Sequence, residues 1–172
     1  MARTVVAFWS RAGENHVAGS IEWLEVGNTA VAAGIVADVT GGELHEIRQA
    51  EPYPDGYRDC VAAAVVDFKA QARPALLDEP PALAPGDDLY LAYPCYCGTM
   101  PMAVWTFLES CSTSGVRIHP LCTNEGSGMG TSEADVRRLC PEAEVLAGLP
   151  VTGHEAAECR PAVERWVAET AR

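Results

Sequence analysis

The stretch FWSRAGENHVAGSIEWLEVGNTAV, Phe8–Val31, decides how the chain is interpreted. Ser10-Arg11-Ala12 follows the mostly apolar run Arg3–Trp9, which predicts a first β-strand. Gly27-Asn28-Thr29 opens a run rich in Ala and Val, which predicts a helix. A strand, a polar turn and a helix start are typical of an anion-binding loop, because free N–H groups point out of a helix N-terminus. Removing the fourteen residues Gly13–Val26 joins the two polar halves, so we interpret those residues as an insert.

The insert is predicted to be a compact surface loop whose two ends lie close together. Three of its side chains, Ile21, Trp23 and Leu24, are too apolar to be left all exposed, while its glutamates keep the other side in water. Two interpretations stay open. The three apolar side chains pack on the nearest helix, or the insert forms a flap beside the ligand of the flanking loops.

Strand-like and helix-like segments alternate along the rest of the chain. The further strands are predicted at Glu43–Arg48, Asp88–Tyr93, Val116–Cys122 and Glu144–Leu149. Five strands that alternate with helices predict an α/β fold with a doubly wound, five-stranded parallel sheet. The length of 172 residues and the absence of a linker predict a single domain, residues 1–172.

Three loops carry the polar residues that favour a ligand site. They are Ser10–Asn28, Pro94–Thr99 and Thr123–Gly130, which follow the first, third and fourth predicted strands and are rich in Gly, Ser, Thr and Asn. Ligands of such folds bind beyond the carboxyl ends of the strands, where these loops should meet. Hydroxyl groups, free N–H groups and the forked guanidinium of Arg11 suit a phosphate group. Each loop alone would be an ordinary turn or helix cap, but three at one sheet edge indicate a binding site.

Composition limits the kinds of partner that the protein can bind. The net charge of −12 makes nucleic acid and anionic membrane surfaces poor partners. The longest uncharged apolar run is far shorter than the roughly 20 residues that cross a membrane, and the N-terminus resembles a first strand rather than a signal peptide. We therefore expect a cytoplasmic protein whose seven cysteines are reduced thiols.

Ser10-Arg11-Ala12 together with Gly27-Asn28-Thr29 resembles the phosphate loop of bacterial flavodoxin-like proteins, in which the two halves are usually contiguous. Other motifs resemble the same family and occur in order from about Val5 to the last helix: Glu51-Pro52-Tyr53-Pro54, Gly98-Thr99-Met100-Pro101-Met102 and Cys122-Thr123-Asn124-Glu125-Gly126-Ser127-Gly128. The resemblance, to a subgroup with an insert in the phosphate loop, implies a flavodoxin-like sheet with strand order 2-1-3-4-5 and non-covalently bound flavin mononucleotide (FMN).

The resemblance also implies which residues hold the cofactor. The phosphate would be held by Ser10, Arg11, Ala12, Asn28 and Thr29. One side of the isoalloxazine ring would be lined by Pro94, Cys95, Tyr96, Cys97 and Gly98, and the other side and the polar edge by Thr123, Asn124, Glu125 and Gly126.

The loop after the third strand departs from the family pattern. The family commonly has two tryptophans where this chain has Tyr96 and Cys97. Tyr96 can still stack on a flavin, whereas Cys97 removes a second aromatic wall. No His or Lys close in sequence would lower the pKa of Cys97, which argues against catalytic cysteine chemistry. The stretch beginning at Cys122 lacks the arginine that a low-molecular-weight phosphatase loop needs.

The resemblance favours an FMN-binding electron-transfer protein that serves a redox partner protein or a small electron acceptor. In it, a carboxylate such as Glu125 would disfavour an anionic reduced ring. One alternative is an FMN-dependent reductase that passes electrons from NAD(P)H to a quinone-type acceptor. Another is a flavin-free interaction module on the same fold.

Overall fold

The computed structural model describes residues 2–170, in which strands and helices alternate. The strands are β1 Thr4–Phe8, β2 Gly13–Val17, β3 Ser20–Leu24, β4 Glu43–Glu46, β5 Asp88–Pro94, β6 Arg117–Asn124, β7 Glu144–Val145 and β8 Leu149–Thr152. The helices are α1 Asn28–Thr40, α2 Tyr57–Ala70, α3 Met102–Ser110, α4 Ser132–Leu139 and α5 Arg160–Thr170, with a 3₁₀ helix at Gly153–Glu158. The predicted α/β class with a parallel central sheet is confirmed.

The central sheet has the order β4-β1-β5-β6-β7, and β8 pairs with β6 beyond the end of β7. All its pairings are parallel, for example Val6 with Tyr90 in β1 and β5, and Tyr93 with Cys122 in β5 and β6. Since parallel strands all run the same way, β1, β5 and β6 end at one edge of the sheet. The polar loops that follow these three strands therefore meet there.

The predicted fifth strand, Glu144–Leu149, is wrong, because two short strands share its place. Between β7 and β8 the backbone is bonded to side chains from the helices. The Gly148 N–H donates to Glu133 of α4 at 2.7 Å, and the Trp166 indole N–H of α5 donates to the Ala147 carbonyl at 2.8 Å. The strand order therefore differs in detail from the predicted 2-1-3-4-5.

Helices cover both faces of the sheet, which gives the protein two hydrophobic cores. On one face Ala33 of α1 and Trp166 of α5 pack against Tyr90 and Leu121. On the other face the apolar side of α3, including Phe107, packs against alternate residues of β1 and β5. Among residues 2–170 no helix combines the length and the apolar character that crossing a membrane requires.

The insert is an antiparallel hairpin, β2–β3, and its pairing of Gly13 with Leu24 confirms the prediction that the two ends of the insert lie close together. Its turn places Ala18 and Gly19 at φ of 48° and 92°, and positive φ at both central residues is what a type I′ hairpin turn needs. Ile21 and Trp23 are 45% and 58% exposed, because no third layer covers that face of the hairpin. The interpretation that both pack on the nearest helix is therefore wrong, although Leu24 is half-buried.

Candidate binding cleft

The carboxyl ends of β1, β5 and β6 surround a cleft of about 370 Å³. Most of the predicted site residues line it: Ser10, Arg11, Asn28, Thr29, Pro94, Cys95, Tyr96, Cys97, Thr123, Asn124 and Glu125. Ala12, Gly98 and Gly126, which were also predicted, do not line the cleft. Gly98 instead forms a tight turn with Cys97, closed by hydrogen bonds of 2.8 and 3.0 Å between the backbones of Tyr96 and Thr99.

Sequence reasoning missed a second wall of the cleft. The additional lining residues come from the hairpin, from α2, from the loop after β6 and from the start of the 3₁₀ helix: Asn15, His16, Tyr57, Cys60, Val61, Ala64, Val65, Ser127 and Gly153. In α2, Cys60 and Ala64 are buried, and the neighbouring Val61 and Val65 also line the cleft. The hairpin residues were covered by one of the two open interpretations of the insert, a flap beside the ligand.

The N-terminus of α1 forms one end of the cleft. The Ser10 hydroxyl accepts a hydrogen bond from the Ala30 N–H at 3.1 Å, and the hydroxyls of Thr29 and Thr123 bond to each other at 2.7 Å. The N–H groups of Asn28 and Thr29 lie in the first helical turn, where no intrahelical acceptor exists. This end of the cleft therefore offers backbone donors and hydroxyls to an anion.

Arg11 lies in the wall of the cleft with its guanidinium already bonded. It donates to the carbonyls of Pro54 and Asp55 at 3.1 and 2.9 Å, and to the carbonyl of Glu14. Its Nε also donates to the Tyr96 hydroxyl at 3.4 Å. Arg11 thus joins the base of the hairpin to the loop before α2, and its contact with a phosphate stays a prediction.

Tyr96 belongs to an aromatic cluster at the other end of the cleft. Its ring lies edge-on to Trp9 at 5.2 Å and parallel to Tyr53 at 6.5 Å between centroids. Trp9 is anchored by Gln49, and Tyr53 by a 2.7 Å hydrogen bond to Asp67. The cluster fixes the loop after β5, so that this wall of the cleft is preformed.

Glu125 lies across the cleft from the hairpin. Its carboxylate accepts hydrogen bonds from the backbone N–H of His154 at 2.9 Å and from that of Ala18 at 3.2 Å, and it pairs with the His154 imidazole at 2.8 Å. The hydrogen bond to Glu125 raises the pKa of His154. A Cβ at Gly153 would lie 2.7 Å from the Glu125 oxygen, so a larger residue there would displace this carboxylate.

Cys95 has the most perturbed accessible thiol of the cleft. A hydrogen bond from the Cys122 thiol, helped by the Ser127 hydroxyl and the Gly98 N–H, lowers the pKa of Cys95 to about 6, although partial burial opposes the shift. Burial raises the pKa of Cys97. The sequence showed no His or Lys near these cysteines, and the side-chain donors to Cys95, which are Cys122 and Ser127, come from β6 and the loop after it.

The hydrogen bonds around Cys95 predict an unusual pH dependence for the alkylation of its thiol. In a Cys97→Ser background, the rate of Cys95 modification by iodoacetamide should rise with a midpoint near pH 6, measured by mass spectrometry. The midpoint is the useful readout, because a thiolate of low pKa is also a weaker nucleophile. Ser127→Ala removes one donor and should move the midpoint upward. A midpoint at the ordinary thiol value of about 8.5 would contradict the prediction.

Comparison with known proteins identifies the family of the chain and its fold. The model of the flavodoxin family matches residues 22–170, beginning within the insert. A candidate flavoprotein from Bacteroides uniformis has a TM-score of 0.76 at 24% identity, over 97% of this chain and 98% of that chain. A candidate flavoprotein from Bacteroides eggerthii has a TM-score of 0.78 at 22% identity, and the match covers 100% of this chain and 99% of that chain. A Lactobacillus acidophilus flavoprotein in complex with FMN has a TM-score of 0.62 at 14% identity, and the match covers 92% of this chain and 98% of that chain. No curated protein shows significant similarity to the chain.

Proposed function

Because the chain belongs to the flavodoxin family, we propose that its cleft binds FMN and that the protein transfers electrons to a redox partner. The observation that carries the proposal is the pairing of two unlike ends in one cleft. One end offers the donors of the α1 N-terminus, and the other lies between the loops that follow β5 and β6. FMN has the matching shape, with a phosphate at one end and a flat ring at the other.

The phosphate end fits its ligand through close approach of the backbone. Gly27 has no side chain, and a Cβ there would lie 2.2 Å from the Ser10 hydroxyl oxygen. The loop after β1 can therefore rest directly against the start of α1, with the hydroxyls of Ser10 and Thr29 beside the free N–H groups. Such donors bind a phosphate dianion without requiring a lysine or arginine.

The ring end fits through a mixture of apolar and polar groups. Val61, Ala64 and Val65 of α2 and Pro94 supply apolar surface, and Asn124 supplies polar atoms. When bound, FMN accepts and donates electrons, while the protein positions the ring and sets its reduction potential. The Glu125 carboxylate adds negative charge to the cleft on the side of Asn28, since a Cβ on Gly153 would meet both side chains, and the adjacent His154 partly balances this charge. The charges of Glu125 and His154 shift the reduction potential of the bound flavin in opposite directions.

The size of the cleft favours an electron carrier over a reductase. Its volume of about 370 Å³ is near the low end of the roughly 300–1,000 Å³ of small-molecule sites, which leaves room for one ligand. A reductase of nicotinamides and quinones would need space for a second flat molecule on the ring. The carrier is therefore the function that we propose.

An absorption spectrum, a binding titration and an assay of NADPH consumption test this proposal. The purified protein should show the visible absorption bands of a flavin, or acquire them with FMN, and FMN should bind more tightly than riboflavin, which lacks the phosphate. The protein alone should not consume NADPH when a quinone is added. A colourless protein that fails to bind added FMN would overturn the proposal in favour of an interaction module, and steady NADPH consumption would overturn the carrier in favour of a reductase.

A further inference from the structure

The hairpin β2–β3 crosses the cleft and contacts both sides of it. Asn15 and His16 of β2 line the cleft, while the turn at Ala18 reaches the opposite wall. Ile21 and Trp23 of β3 pair with His16 and Glu14 of β2 and remain largely exposed. A segment that spans a cleft in this way acts as a strap on whatever the cleft contains.

The base of the strap is fastened by several contacts. Besides the bonds of Arg11, the Glu14 N–H donates to the Asp55 carbonyl at 2.9 Å. The Glu14 carboxylate accepts a hydrogen bond of 2.9 Å from the Tyr57 N–H at the start of α2. A carboxylate at a helix N-terminus is further stabilised by the helix dipole. The base is therefore the fixed end of the strap.

The tip is held through one carboxylate. The Ala18 N–H donates to Glu125 at 3.2 Å, and within residues 2–170 this is the hydrogen bond that joins the turn to the far wall. The backbone N–H and the imidazole of His154 are hydrogen-bonded to the same carboxylate, which orients Glu125 toward the tip. Because several hydrogen bonds hold the base of the strap and one holds its tip, we expect the strap to open at the tip.

We propose that Glu125 is the latch that keeps the strap closed, and that the closed strap excludes small planar acceptors from the cleft. This inference rests on the proposed function, because it names which partners reach the bound FMN. With the tip latched, a quinone-sized molecule cannot lie flat in the cleft, and electrons leave through contact with a partner protein. Glu125 is then a specificity-determining residue, and His154 is the residue that positions it.

The latch can be tested in the protein without FMN. Glu125→Ala removes the acceptor of the Ala18 N–H, and exchange of that amide hydrogen, followed by NMR, should become about tenfold faster. Glu125→Gln keeps an acceptor oxygen and should give a smaller increase. Glu25→Ala is the matched control, because Glu25 is a hairpin carboxylate that bonds Trp23 and not the far wall. Unchanged exchange at Ala18 in Glu125→Ala would overturn the latch whether or not FMN binds.

The consequence for acceptors is tested in the FMN-loaded protein. After chemical reduction, the Glu125→Ala protein should reduce a small quinone such as menadione about tenfold faster than the parent protein, while Glu25→Ala stays within about twofold. Faster amide exchange without faster quinone reduction would overturn the specificity role. Failure of the parent protein to bind FMN would overturn the proposed function, but the amide exchange would still report on the latch.

Discussion

Gly27→Ala is expected to weaken FMN binding by about 100-fold or more, equivalent to about 2.8 kcal/mol. The added Cβ would lie 2.2 Å from the Ser10 hydroxyl oxygen and 2.6 Å from the Arg11 carbonyl oxygen. One of these atoms belongs to the backbone, so the loop after β1 must move away from the start of α1. Ser10 then loses its hydrogen bond to the Ala30 N–H, and the proposed phosphate site opens. Fluorescence titration with FMN measures the change in affinity.

The same variant should lower the free energy of unfolding by about 1–3 kcal/mol, the usual cost of overpacking, as measured by urea denaturation. Gly34→Ala is the matched control, because Gly34 lies within α1, the helix that Gly27 precedes, and its Cβ would meet nothing within 4 Å. That substitution should stabilise the protein by about 0.5–1 kcal/mol and leave the affinity for FMN unchanged. An unaltered affinity in Gly27→Ala would remove the start of α1 from the cofactor site.

Deletion of Gly13–Val26 should have the second largest effect, mainly on reactivity. The sheet and its two cores do not include the hairpin, and the hairpin pairs Gly13 with Leu24, so the two ends of the deleted segment lie close together. A folded protein that still binds FMN is therefore expected. Without the strap, menadione reduction should exceed that of the parent protein by about tenfold or more, as measured by stopped-flow absorbance.

The deletion also removes Asn15 and His16 from the cleft wall, and Glu14 from the start of α2. We therefore expect a weaker affinity for FMN than in the parent protein, and a small loss of stability. Circular dichroism and thermal unfolding provide the control for folding. A folded deletion protein that binds no FMN would show that the hairpin is part of the binding site itself, and the strap would not be a separate element.

Sequence patterns predicted the elements whose character is local. The apolar runs of β1, β5 and β6, and the polar loops after them, stand out by composition alone, and parallel topology then requires the loops to meet. The same reasoning placed Ser10, Thr29 and Thr123 near one another, and the structure brings Thr29 and Thr123 into contact. Their role toward FMN stays a prediction. The predicted fifth strand failed because Glu133 and Trp166, from the flanking helices α4 and α5, bond the backbone between β7 and β8.

By itself, the sequence determined the α/β class, the edge of the sheet where the site lies and the position of the insert, because these follow from hydrophobic period and from the order of elements. Only the tertiary structure decided what the insert does and which groups act on each side chain. The low pKa of Cys95 depends on Cys122 and Ser127, and the hydrogen bonds of Arg11 on Pro54 and Asp55. The hydrogen bond between the hairpin tip and Glu125 joins residues more than one hundred positions apart. Electrostatic and hydrogen-bond energies depend on distance in space, and the spacing of residues along a chain does not contain that distance.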